Sequence, residues 1–340
     1  MLHKIKMKNE TARHTPESIN AFVRNFQKIR ILLTAFELDI FTILDKSPAT
    51  SREVSEQLKT DARATDRLMN ALCALGFLVK KEGQFANTED AASFLVKGKP
   101  AYMGGLMHMN NLWDTWTTLT ESVRYGTSAY RQEASSERPD TDWLESFIGA
   151  MHYRGIGQAP EVISNLDLNG VEKVLDVGGG SGVFAISFVH AADDITATVF
   201  DLPDVIPITQ KFLNRDNAAA RINTVSGDYH TDELPKGYDM VFLSAIIHSN
   251  SYDENALLVQ KCASSLNEGG QLVIQDFVMN EDRTTPPEGA VFALNMLVGT
   301  DKGDTYTEKE IREWFEKAGI RFFKRIEAFS GNSMIVGKKL

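Results

Sequence analysis

The sequence predicts an α/β protein in which a doubly wound parallel sheet follows a smaller, mostly α-helical N-terminal domain. Two observations support this fold class. From about residue 171 onwards, short apolar segments alternate with segments of helical periodicity, which is the pattern of a parallel sheet with helices on both faces. Before that point, three helical segments lead into a hairpin. A chain of 340 residues is long enough for about two domains.

The N-terminal segments combine helix signals with a hairpin signal. Residues 17–45 have helical periodicity, and their second half is apolar nearly all round, so we expect it to be buried or to lie between subunits. Thr50 followed by Glu53 is a capping box that begins a short helix, and Asp61 is placed to cap the next one. A turn at Glu82-Gly83 joins two short strands. Three helices followed by a hairpin are the pattern of a winged helix-turn-helix.

Aromatic residues and methionines are frequent in the helical segments between residues 100 and 165, which indicates a packed connecting region. The alternating segments follow in order. The predicted strands are "KVLDVGG", "TATVFDLP", "INTVSGD", "DMVFLSAIIH" and "GQLVIQDFV", the predicted helices are "GVFAISFVHA", "VIPITQKFLN", "ENALLVQKCASSL" and "TEKEIREWFEKAG", and the two final strands are "RFFKRIEAFSG" and "NSMIVGKK". We therefore expect a winged-helix domain at 1–105, a helical connector at 106–165 and the sheet domain at 166–340.

Charge and composition narrow the function classes. The net charge is −10, and residues 1–100 hold only 16 Lys and Arg against 12 Asp and Glu. The N-terminal region therefore lacks the strong positive charge that is typical of nucleic-acid-binding domains. The apolar runs are much shorter than the ~20 residues of a membrane span, and the N-terminal segment lacks the apolar core of a signal peptide. Cys73 and Cys262 imply neither a disulfide framework nor a cysteine metal site. We expect a cytoplasmic protein that binds neither nucleic acid nor membranes.

A glycine-rich loop separates the first strand of the predicted sheet from its helix. Gly178, Gly180 and Gly182 alternate in "VLDVGGGSGVF", where glycine permits a tight turn and the close approach of a ligand. Gly180 and Gly182 followed by Ala185 also fit the dinucleotide fingerprint G-x-G-x-x-G/A. The loop alone is therefore also compatible with a nicotinamide cofactor.

Acidic residues accompany this loop at the ends of the predicted strands. Asp176 precedes the glycines and completes the pattern D-x-G-x-G-x-G. Asp201 ends the second strand 21 residues after Gly180, where a carboxylate would accept both ribose hydroxyls of a nicotinamide or S-adenosyl cofactor. Asp228 ends the third strand, where it is placed to accept from an adenine amino group, and Tyr229 beside it is placed to pack on the ring.

This series of residues, with the two C-terminal strands, resembles the class I S-adenosylmethionine-dependent methyltransferases, whose Rossmann-like sheet has an antiparallel last strand. The N-terminal winged helix narrows the resemblance to the small-molecule O-methyltransferases, which include plant phenylpropanoid and hydroxyindole enzymes and bacterial natural-product enzymes. The resemblance extends from about residue 17 to 340. It implies S-adenosylmethionine as the cofactor, a small-molecule acceptor and a homodimer formed through the N-terminal domain. The implied cofactor-binding residues are Asp176, Gly178, Gly180, Gly182, Asp201, Leu202, Asp228, Tyr229 and Ser244.

The apolar segment "DMVFLSAIIH" ends in His248, and open α/β sheets bind their ligands at the carboxyl ends of strands. In the family that the sequence resembles, a histidine here is the general base, and an imidazole with a pKa of about 6.5 suits the removal of a hydroxyl proton. The resemblance makes Asp276, on the next strand, the acid that orients this histidine. The family's second acid falls at Thr305, with Asp304 adjacent, and its L-H-D-W-like stretch is Ile247-His248-Ser249-Asn250 here.

The resemblance also implies four substrate-contacting residues, whose largely apolar character suits a flat aromatic or otherwise hydrophobic acceptor. They are Phe147, Met151, Asn295 and Met296. The sequence leaves open whether the methyl group goes to oxygen, nitrogen, sulfur or carbon.

Three other functions remain alternatives at this point. A regulator that senses S-adenosylmethionine would use the winged helix, but its recognition helix offers only Arg63 and Arg67 as basic contacts. An NAD-linked oxidoreductase would use the fingerprint in the glycine loop. A metal-dependent methyltransferase would need carboxylates and histidines at metal-ligand spacing, and we find no convincing cluster of this kind, so no metal is expected.

Overall fold

The computed structural model describes residues 14–130, 141–327 and 331–340. Within these ranges the chain divides into two compact units, of which the first ends at Asn110 and the second begins at Asn111. Three parts of the sequence predictions lie outside the described residues: the N-terminal segment without a signal-peptide core (1–13), part of the predicted connector (131–140) and part of a predicted strand (328–330).

In the described part of the first unit, helices surround a small sheet. The helices are α1 (Pro16–Glu37), α2 (Ile40–Leu44), α3 (Ser51–Leu58), α4 (Ala62–Ala74) and α5 (Glu89–Phe94), with α6 (Leu106–Thr117) crossing the boundary, and the strands are β1 (Ala49–Thr50), β2 (Leu78–Lys81) and β3 (Gln84–Asn87). The strands pair antiparallel in the order β1-β3-β2. The predicted capping box of Thr50 and Glu53 begins α3, and Asp61 caps α4.

The helix predicted over residues 17–45 is in fact two helices. Asp39 lies between α1 and α2 in a left-handed conformation, with φ of 58°, which aspartate tolerates better than most side chains. The apolar pattern continues across the break because both helices contribute to one core, in which Phe36, Ile40 and Phe41 are buried. Periodicity therefore does not reveal the break.

The second unit is built on a seven-stranded sheet. Its strands are β4 (Lys173–Val177), β5 (Thr196–Asp201), β6 (Ile222–Ser226), β7 (Tyr238–Ser244), β8 (Leu266–Asp276), β11 (Ile320–Glu327) and β12 (Ser333–Lys339), and a separate short pair is β9 (Val278–Met279) with β10 (Tyr306–Thr307). The helices in its described ranges are α7 (Leu119–Tyr125), α8 (Thr141–Ser164), α9 (Val183–Ala191), α10 (Ile206–Asp216), α11 (Tyr252–Ser265), α12 (Pro287–Gly299) and α13 (Glu308–Lys317).

The strand order of this sheet is β11-β12-β8-β7-β4-β5-β6. The five strands from β8 to β6 are parallel, and β12 is antiparallel to both of its neighbours. The chain moves outwards from β4 to β6 and then returns to β7 on the other side of β4. The order therefore reverses between β4 and β7, where open α/β sheets bind their ligands at the carboxyl ends of the strands.

Two apolar clusters cover the two faces of the sheet. Side chains of α8 and α9, such as Val162 and Phe188, pack on one face. Side chains of α11 and α13, such as Val259 and Trp314, pack on the other. Burial on both faces explains why the central strands are nearly continuous apolar segments, and the arrangement confirms the predicted doubly wound fold.

The predicted strand that ends in His248 is shorter than its apolar sequence indicates. Strand β7 ends at Ser244, and Ala245 turns the chain with φ of 57°. His248 lies in a short 3-10 turn, Ile247–Ser249, that follows. Because Ile247 is buried in this turn, its apolar character does not distinguish the turn from a continued strand.

Candidate active site

The glycine loop lies at the carboxyl end of β4, at the point where the strand order reverses. Gly178, Gly180 and Gly182 all have left-handed backbones, with φ of 67°, 56° and 75°, a region that side chains other than glycine rarely adopt. A Cβ atom on Gly178 would also collide with the side chain of Ile246. The backbone therefore requires glycine here, and the loop leads directly into the first residues of α9.

Asp201, at the end of β5, holds this loop from the neighbouring strand. Its Oδ2 accepts from the backbone N–H of Gly180 at 2.7 Å, and its Oδ1 accepts from that of Leu202 at 2.8 Å. Burial raises the pKa of the Asp201 carboxyl, while these two backbone bonds lower it. Each oxygen keeps a second lone pair, so the carboxylate remains able to accept from a ligand. The side chain of Leu202 is exposed.

Asp176, in β4, is a buried acidic group. Its side chain is 1% exposed, and neither carboxylate oxygen has a partner in full hydrogen-bond geometry among the described residues. Burial raises the pKa of Asp176 to about 7, the backbone N–H of Ala185 lowers it, and the nearby Asp201 carboxylate raises it. A Cβ on Gly179 would lie 2.7 Å from the Asp176 carboxyl group. The loop therefore closes directly over a weakly paired buried acceptor.

Replacing Asp176 with asparagine should stabilise the ligand-free protein in a pH-dependent way. The pKa of Asp176 is about 7 in the folded state against 3.8 in an unfolded chain. The folded state therefore binds the proton more tightly, and this contribution to stability is complete below pH 3.8 and is lost as the pH rises through 7. Asparagine does not ionise, so Asp176→Asn should melt roughly 5–10 °C above wild type at about pH 8, with a smaller difference at about pH 5.

The measurement is thermal unfolding of both ligand-free proteins at the two pH values. Asp194→Asn, in an exposed loop, is the control and should change neither melting temperature. A gap between Asp176→Asn and wild type that stays constant with pH would contradict the raised pKa.

The loop after β6 carries Asp228 and Tyr229. The Oδ1 of Asp228 accepts from the backbone N–H of His230 at 2.8 Å, which fixes the loop. The hydroxyl of Tyr229 donates to Oδ1 of Asn250 at 3.2 Å, and burial raises the pKa of Tyr229 to about 12, so the hydroxyl keeps its proton. Lys261 of α11 donates to three backbone carbonyls of this loop at 2.8–3.0 Å. No sequence pattern indicates this role of Lys261, because its partners lie about thirty residues away and are backbone atoms.

The side chains of His248 and Asp276 are hydrogen-bonded to each other. Nδ1 of His248 lies 2.9 Å from both carboxylate oxygens of Asp276, and the two side chains are 13% and 3% exposed. The backbone N–H of Phe277 also donates to Oδ1 of Asp276, at 2.8 Å. The ring of Phe292, on α12, packs edge to face against the imidazole, with 4.8 Å between the ring centroids. A proton on Nδ1 that is donated to Asp276 leaves the lone pair of Nε2 as the basic position of the ring.

The other polar residues that the sequence placed near the site, Asp304, Thr305 and Ser244, have partners other than the imidazole. The backbone N–H of Asp304 donates to the carbonyl of His248 at 3.0 Å, but its half-exposed side chain lies 3.6 Å from Arg283. Thr305 is buried, and its backbone N–H donates to Oδ1 of Asp304 at 2.7 Å. Ser244, at the end of β7, donates to Oε1 of Gln275 at 3.1 Å. Within the described residues, Asp276 is thus the acid that contacts the imidazole.

The four predicted substrate-contacting residues lie on two helices. Phe147 and Met151 are one turn apart on α8 and half-buried, whereas Met296 of α12 is buried. Asn295 of α12 accepts at Oδ1 from the indole N–H of Trp116 at 2.9 Å. Phe292 precedes Asn295 by three residues, so the two share one face of α12. That i, i+3 spacing was a readable sequence signal for Phe292, which was not among the predicted site residues.

A second histidine joins α8 to the glycine loop. Nδ1 of His152 lies 2.9 Å from Oγ of the buried Ser181, and its ring packs on Phe212 with 4.0 Å between centroids. Burial lowers the pKa of His152 to about 4, so this imidazole is neutral near pH 7. Its position next to Met151 is the sequence feature that could have indicated it.

No group of three or more His, Cys, Asp or Glu side chains in the described ranges is arranged to hold a metal ion. None of the helices in the part of the chain that the structure covers has both the length and the apolar character needed to cross a membrane.

Comparison with known proteins connects this geometry with sequence families. Residues 116–321 match the family model of the O-methyltransferase domain, and residues 21–97 match that of the O-methyltransferase dimerisation domain. The 3-hydroxy-5-methyl-1-naphthoate 3-O-methyltransferase of Streptomyces sahachiroi is 30% identical over 334 residues, which are 95% of each chain. The tetracenomycin polyketide synthesis 8-O-methyl transferase TcmO of Streptomyces glaucescens is 28% identical, over 95% of this chain and 97% of that one.

Solved structures show the same fold. The structure of PigF with SAH superposes with a TM-score of 0.87 at 24% identity, and the match covers 96% of this chain and 100% of that one. PigF is an S-adenosyl-L-methionine-dependent methyl transferase of Serratia sp..

Proposed function

The chain belongs to the S-adenosylmethionine-dependent O-methyltransferase family with an N-terminal dimerisation domain, and from that premise we propose that it methylates a hydroxyl group of a small aromatic acceptor, with His248 as the general base. The observation that carries the proposal is the pair of His248 and Asp276 at 2.9 Å. The pair lies at the carboxyl ends of the strands, beside the strand-order reversal that is lined by the glycine loop.

The residues around the glycine loop fit an S-adenosyl cofactor. When bound, S-adenosylmethionine supplies a methyl group on a positively charged sulfonium sulfur. Asp176 offers a buried, weakly paired carboxylate, and Asp201 keeps lone pairs for ribose hydroxyls. Gly180 leaves room for close approach, because a Cβ there would meet only Ile148, at 3.7 Å. We assign Asp228 and Tyr229, with Ser244 at the end of β7 and the exposed Leu202, to the part of the site that would contact the adenine of the cofactor.

His248 would act on the acceptor hydroxyl. Asp276 holds Nδ1 protonated and directs the ring, so that Nε2 takes the hydroxyl proton. His248 would thereby hold the acceptor's proton on its imidazole while the acceptor oxygen takes the methyl group that S-adenosylmethionine supplies. Asp276 stabilises the resulting imidazolium by its negative charge at 2.9 Å.

The acceptor is proposed to be an aromatic compound with a second oxygen near its hydroxyl. The relatives carry names that specify a hydroxynaphthoate and a tetracenomycin polyketide. In this chain, an indole N–H can only donate, so Trp116 fixes Oδ1 of Asn295 towards itself and turns the Nδ2 donor away. Asn295 lies one helical turn from Phe292, which contacts His248. Its amide would donate to a carbonyl or carboxylate oxygen, while Phe147, Met151 and Met296 provide apolar surface.

The test is transfer of a labelled methyl group from S-adenosylmethionine to 3-hydroxy-2-naphthoate and to 2-naphthol. We expect both to be methylated by the wild type, with a lower KM for the naphthoate. Asn295→Leu should raise the KM for the naphthoate by about tenfold, because it removes a hydrogen bond to a charged group, and should leave the KM for 2-naphthol near the wild-type value.

The control acceptor is 3-methoxy-2-naphthoate, which should accept no methyl group because its hydroxyl is blocked. Absence of transfer to every aromatic hydroxyl offered would contradict the proposed function. An equal rise of KM for both acceptors in Asn295→Leu would contradict only the donor role of Asn295.

The N-terminal unit is proposed to be a winged helix that forms a homodimer. A dimerisation domain is matched over residues 21–97. The first four turns of α1 expose a stripe of large apolar side chains at helical spacing, with Phe22 79% exposed. The stripe consists of Ile19, Phe22, Val23, Phe26 and Ile29. Beside this stripe lies a groove of about 420 Å³ lined by residues of α1 and by Leu68. A second copy of the chain would cover this surface.

Aspartates at Phe22 and Phe26 should convert a dimer into a monomer of 37.8 kDa, because they place charges in the centre of the stripe. Light scattering after size exclusion measures the mass. Asn20→Asp with Lys28→Asp is the matched control, since these positions lie on the opposite side of α1 and should leave the mass at twice that value. An unchanged mass for Phe22→Asp with Phe26→Asp would place the interface elsewhere.

The alternatives from the sequence receive no support from the comparisons. Family membership supports an S-adenosyl cofactor, and neither an NAD-linked oxidoreductase nor a regulator is among the supported functions. The cytoplasmic location, the domain boundaries at 105 and 165, and the absence of nucleic-acid and membrane partners stay predictions.

A further inference from the structure

A buried series of hydrogen bonds joins the loop after β6 to the turn that carries His248. The hydroxyl of Tyr229 donates to Oδ1 of Asn250 at 3.2 Å. Nδ2 of Asn250 donates to Oδ1 of Asn255 at 3.1 Å, and Nδ2 of Asn255 donates to the backbone carbonyl of Ile247 at 2.8 Å. The two asparagines are 1% and 0% exposed. We call these four residues the Tyr229–Ile247 chain.

The direction of every bond in the Tyr229–Ile247 chain is determined by its last member. A backbone carbonyl can only accept, so Asn255 must present Nδ2 to Ile247 and Oδ1 to Asn250. Asn250 must then present Nδ2 to Asn255 and Oδ1 to Tyr229, whose hydroxyl has to donate. The raised pKa of Tyr229 keeps that hydroxyl protonated. Neither amide can reverse without leaving a buried polar group unpaired, which is costly.

The turn that holds His248 depends on side chains for its position. It begins after Ala245, whose left-handed backbone ends the pairing of β7. Besides Asn255, the carbonyl of Ile247 accepts from the backbone N–H of Asn250 at 3.3 Å. The hydroxyl of Tyr306 donates to the carbonyl of Asn250 at 2.5 Å. The side chains of Asn255 and Tyr306, together with the backbone N–H of Asp304 on the carbonyl of His248, therefore hold this turn in place of a sheet ladder.

We propose that Asn250 and Asn255 are positioning residues that couple the cofactor side of the site to the base, so that a cofactor packed against Tyr229 orders the turn that carries His248. The inference rests on the proposed function for the role of His248. It uses a position at which this chain departs from the L-H-D-W-like stretch of the family, because Asn250 takes the fourth place. The base would then be aligned mainly when the cofactor is present.

The experiment compares wild type with Tyr229→Phe, which keeps the aromatic ring and removes only the first bond of the Tyr229–Ile247 chain. Tyr238→Phe is the matched control. The hydroxyl of Tyr238 is also half-buried, but it donates to Thr198 at 3.0 Å and is not part of the Tyr229–Ile247 chain. Hydrogen exchange of a peptide covering residues 245–251 is followed by mass spectrometry, with and without S-adenosylhomocysteine. Each protein is brought to saturation, as determined by calorimetry.

We expect S-adenosylhomocysteine to slow exchange in this peptide several-fold in wild type and Tyr238→Phe, and to slow it less than half as much in Tyr229→Phe. The kcat of Tyr229→Phe for methyl transfer should fall about fivefold, with the KM for the acceptor near the wild-type value. Asn255→Asp, which removes the donor to Ile247, should speed exchange with and without the ligand.

Equal protection of residues 245–251 in Tyr229→Phe and wild type would overturn the inference, as would a loss in Tyr229→Phe that appears only in ligand affinity or melting temperature. The exchange measurement needs no methyl transfer. A wild type that transfers no methyl group would therefore contradict the proposed function alone. The exchange data would still decide whether the Tyr229–Ile247 chain couples ligand binding to the order of the turn. If Asn255→Asp does not fold, Tyr229→Phe decides.

Discussion

Replacing His248 with alanine should lower kcat by about 10²–10⁴-fold, which is the range that general-base catalysis contributes. The affinity for S-adenosylhomocysteine should stay near that of wild type, because the imidazole is bonded to Asp276 and packed on Phe292 rather than on the glycine loop. Single-turnover methyl transfer with preloaded S-adenosylmethionine measures the chemical step, and calorimetry measures the affinity.

His190→Ala is the control for loss of a histidine. His190, on α9, forms an exposed pair with Asp216 at the end of α10, so this variant should change neither kcat nor the affinity. Asp276→Asn gives a second view of the same pair. It keeps the shape of the side chain but removes the charge that favours protonated Nδ1, so kcat should again fall by orders of magnitude. A His248→Ala enzyme that retains most of its kcat would show that another group takes the proton.

Replacing Asp201 with alanine should weaken binding of S-adenosylmethionine by about 10²–10³-fold, because hydrogen bonds to a charged group contribute about 1.5–3 kcal/mol each. The variant also loses the bonds from Asp201 to the backbone of Gly180 and Leu202, which hold the loop in its binding shape. Calorimetric titration with S-adenosylmethionine, S-adenosylhomocysteine and NAD measures the effect and the choice of cofactor together.

Asp194→Ala, an exposed aspartate before β5, is the matched control and should bind as the wild type does. A melting curve for Asp201→Ala distinguishes loss of binding from loss of fold. Unchanged affinity in the folded variant would remove Asp201 from the site, and wild-type binding of NAD alone would assign the glycine loop to a dinucleotide.

The sequence predicted which residues gather at the carboxyl edge of the sheet because that gathering follows from topology. Parallel strands end at one edge, so Asp201, Asp228 and Asp276 had to lie near the glycine loop once the strands were recognised. The strand lengths are harder to predict, because Ala245, Ile246 and Ile247 are as apolar as the strand before them and do not reveal that β7 ends at Ser244.

Contacts between distant segments could not be read in the same way. Trp116 and Asn295 are 179 residues apart, and nothing in either local pattern selects the other. Asn250 and Asn255 look like ordinary polar residues at the start of a helix, but in the fold they are fully enclosed. The pairing of buried polar groups is decided by packing, which sequence periodicity does not encode.

Strand β12 has a consequence for how the second unit is made. It lies inside the sheet, between β8 and β11, yet it follows every other strand in the chain. Until β12 inserts between them, β11 has no neighbour in the sheet and β8 keeps an open edge. Closure of this sheet therefore requires long-range strand pairing, which is slow. A chain in which β12 has not yet paired would expose the edge of β8 and leave β11 unpaired, and such strand edges promote aggregation.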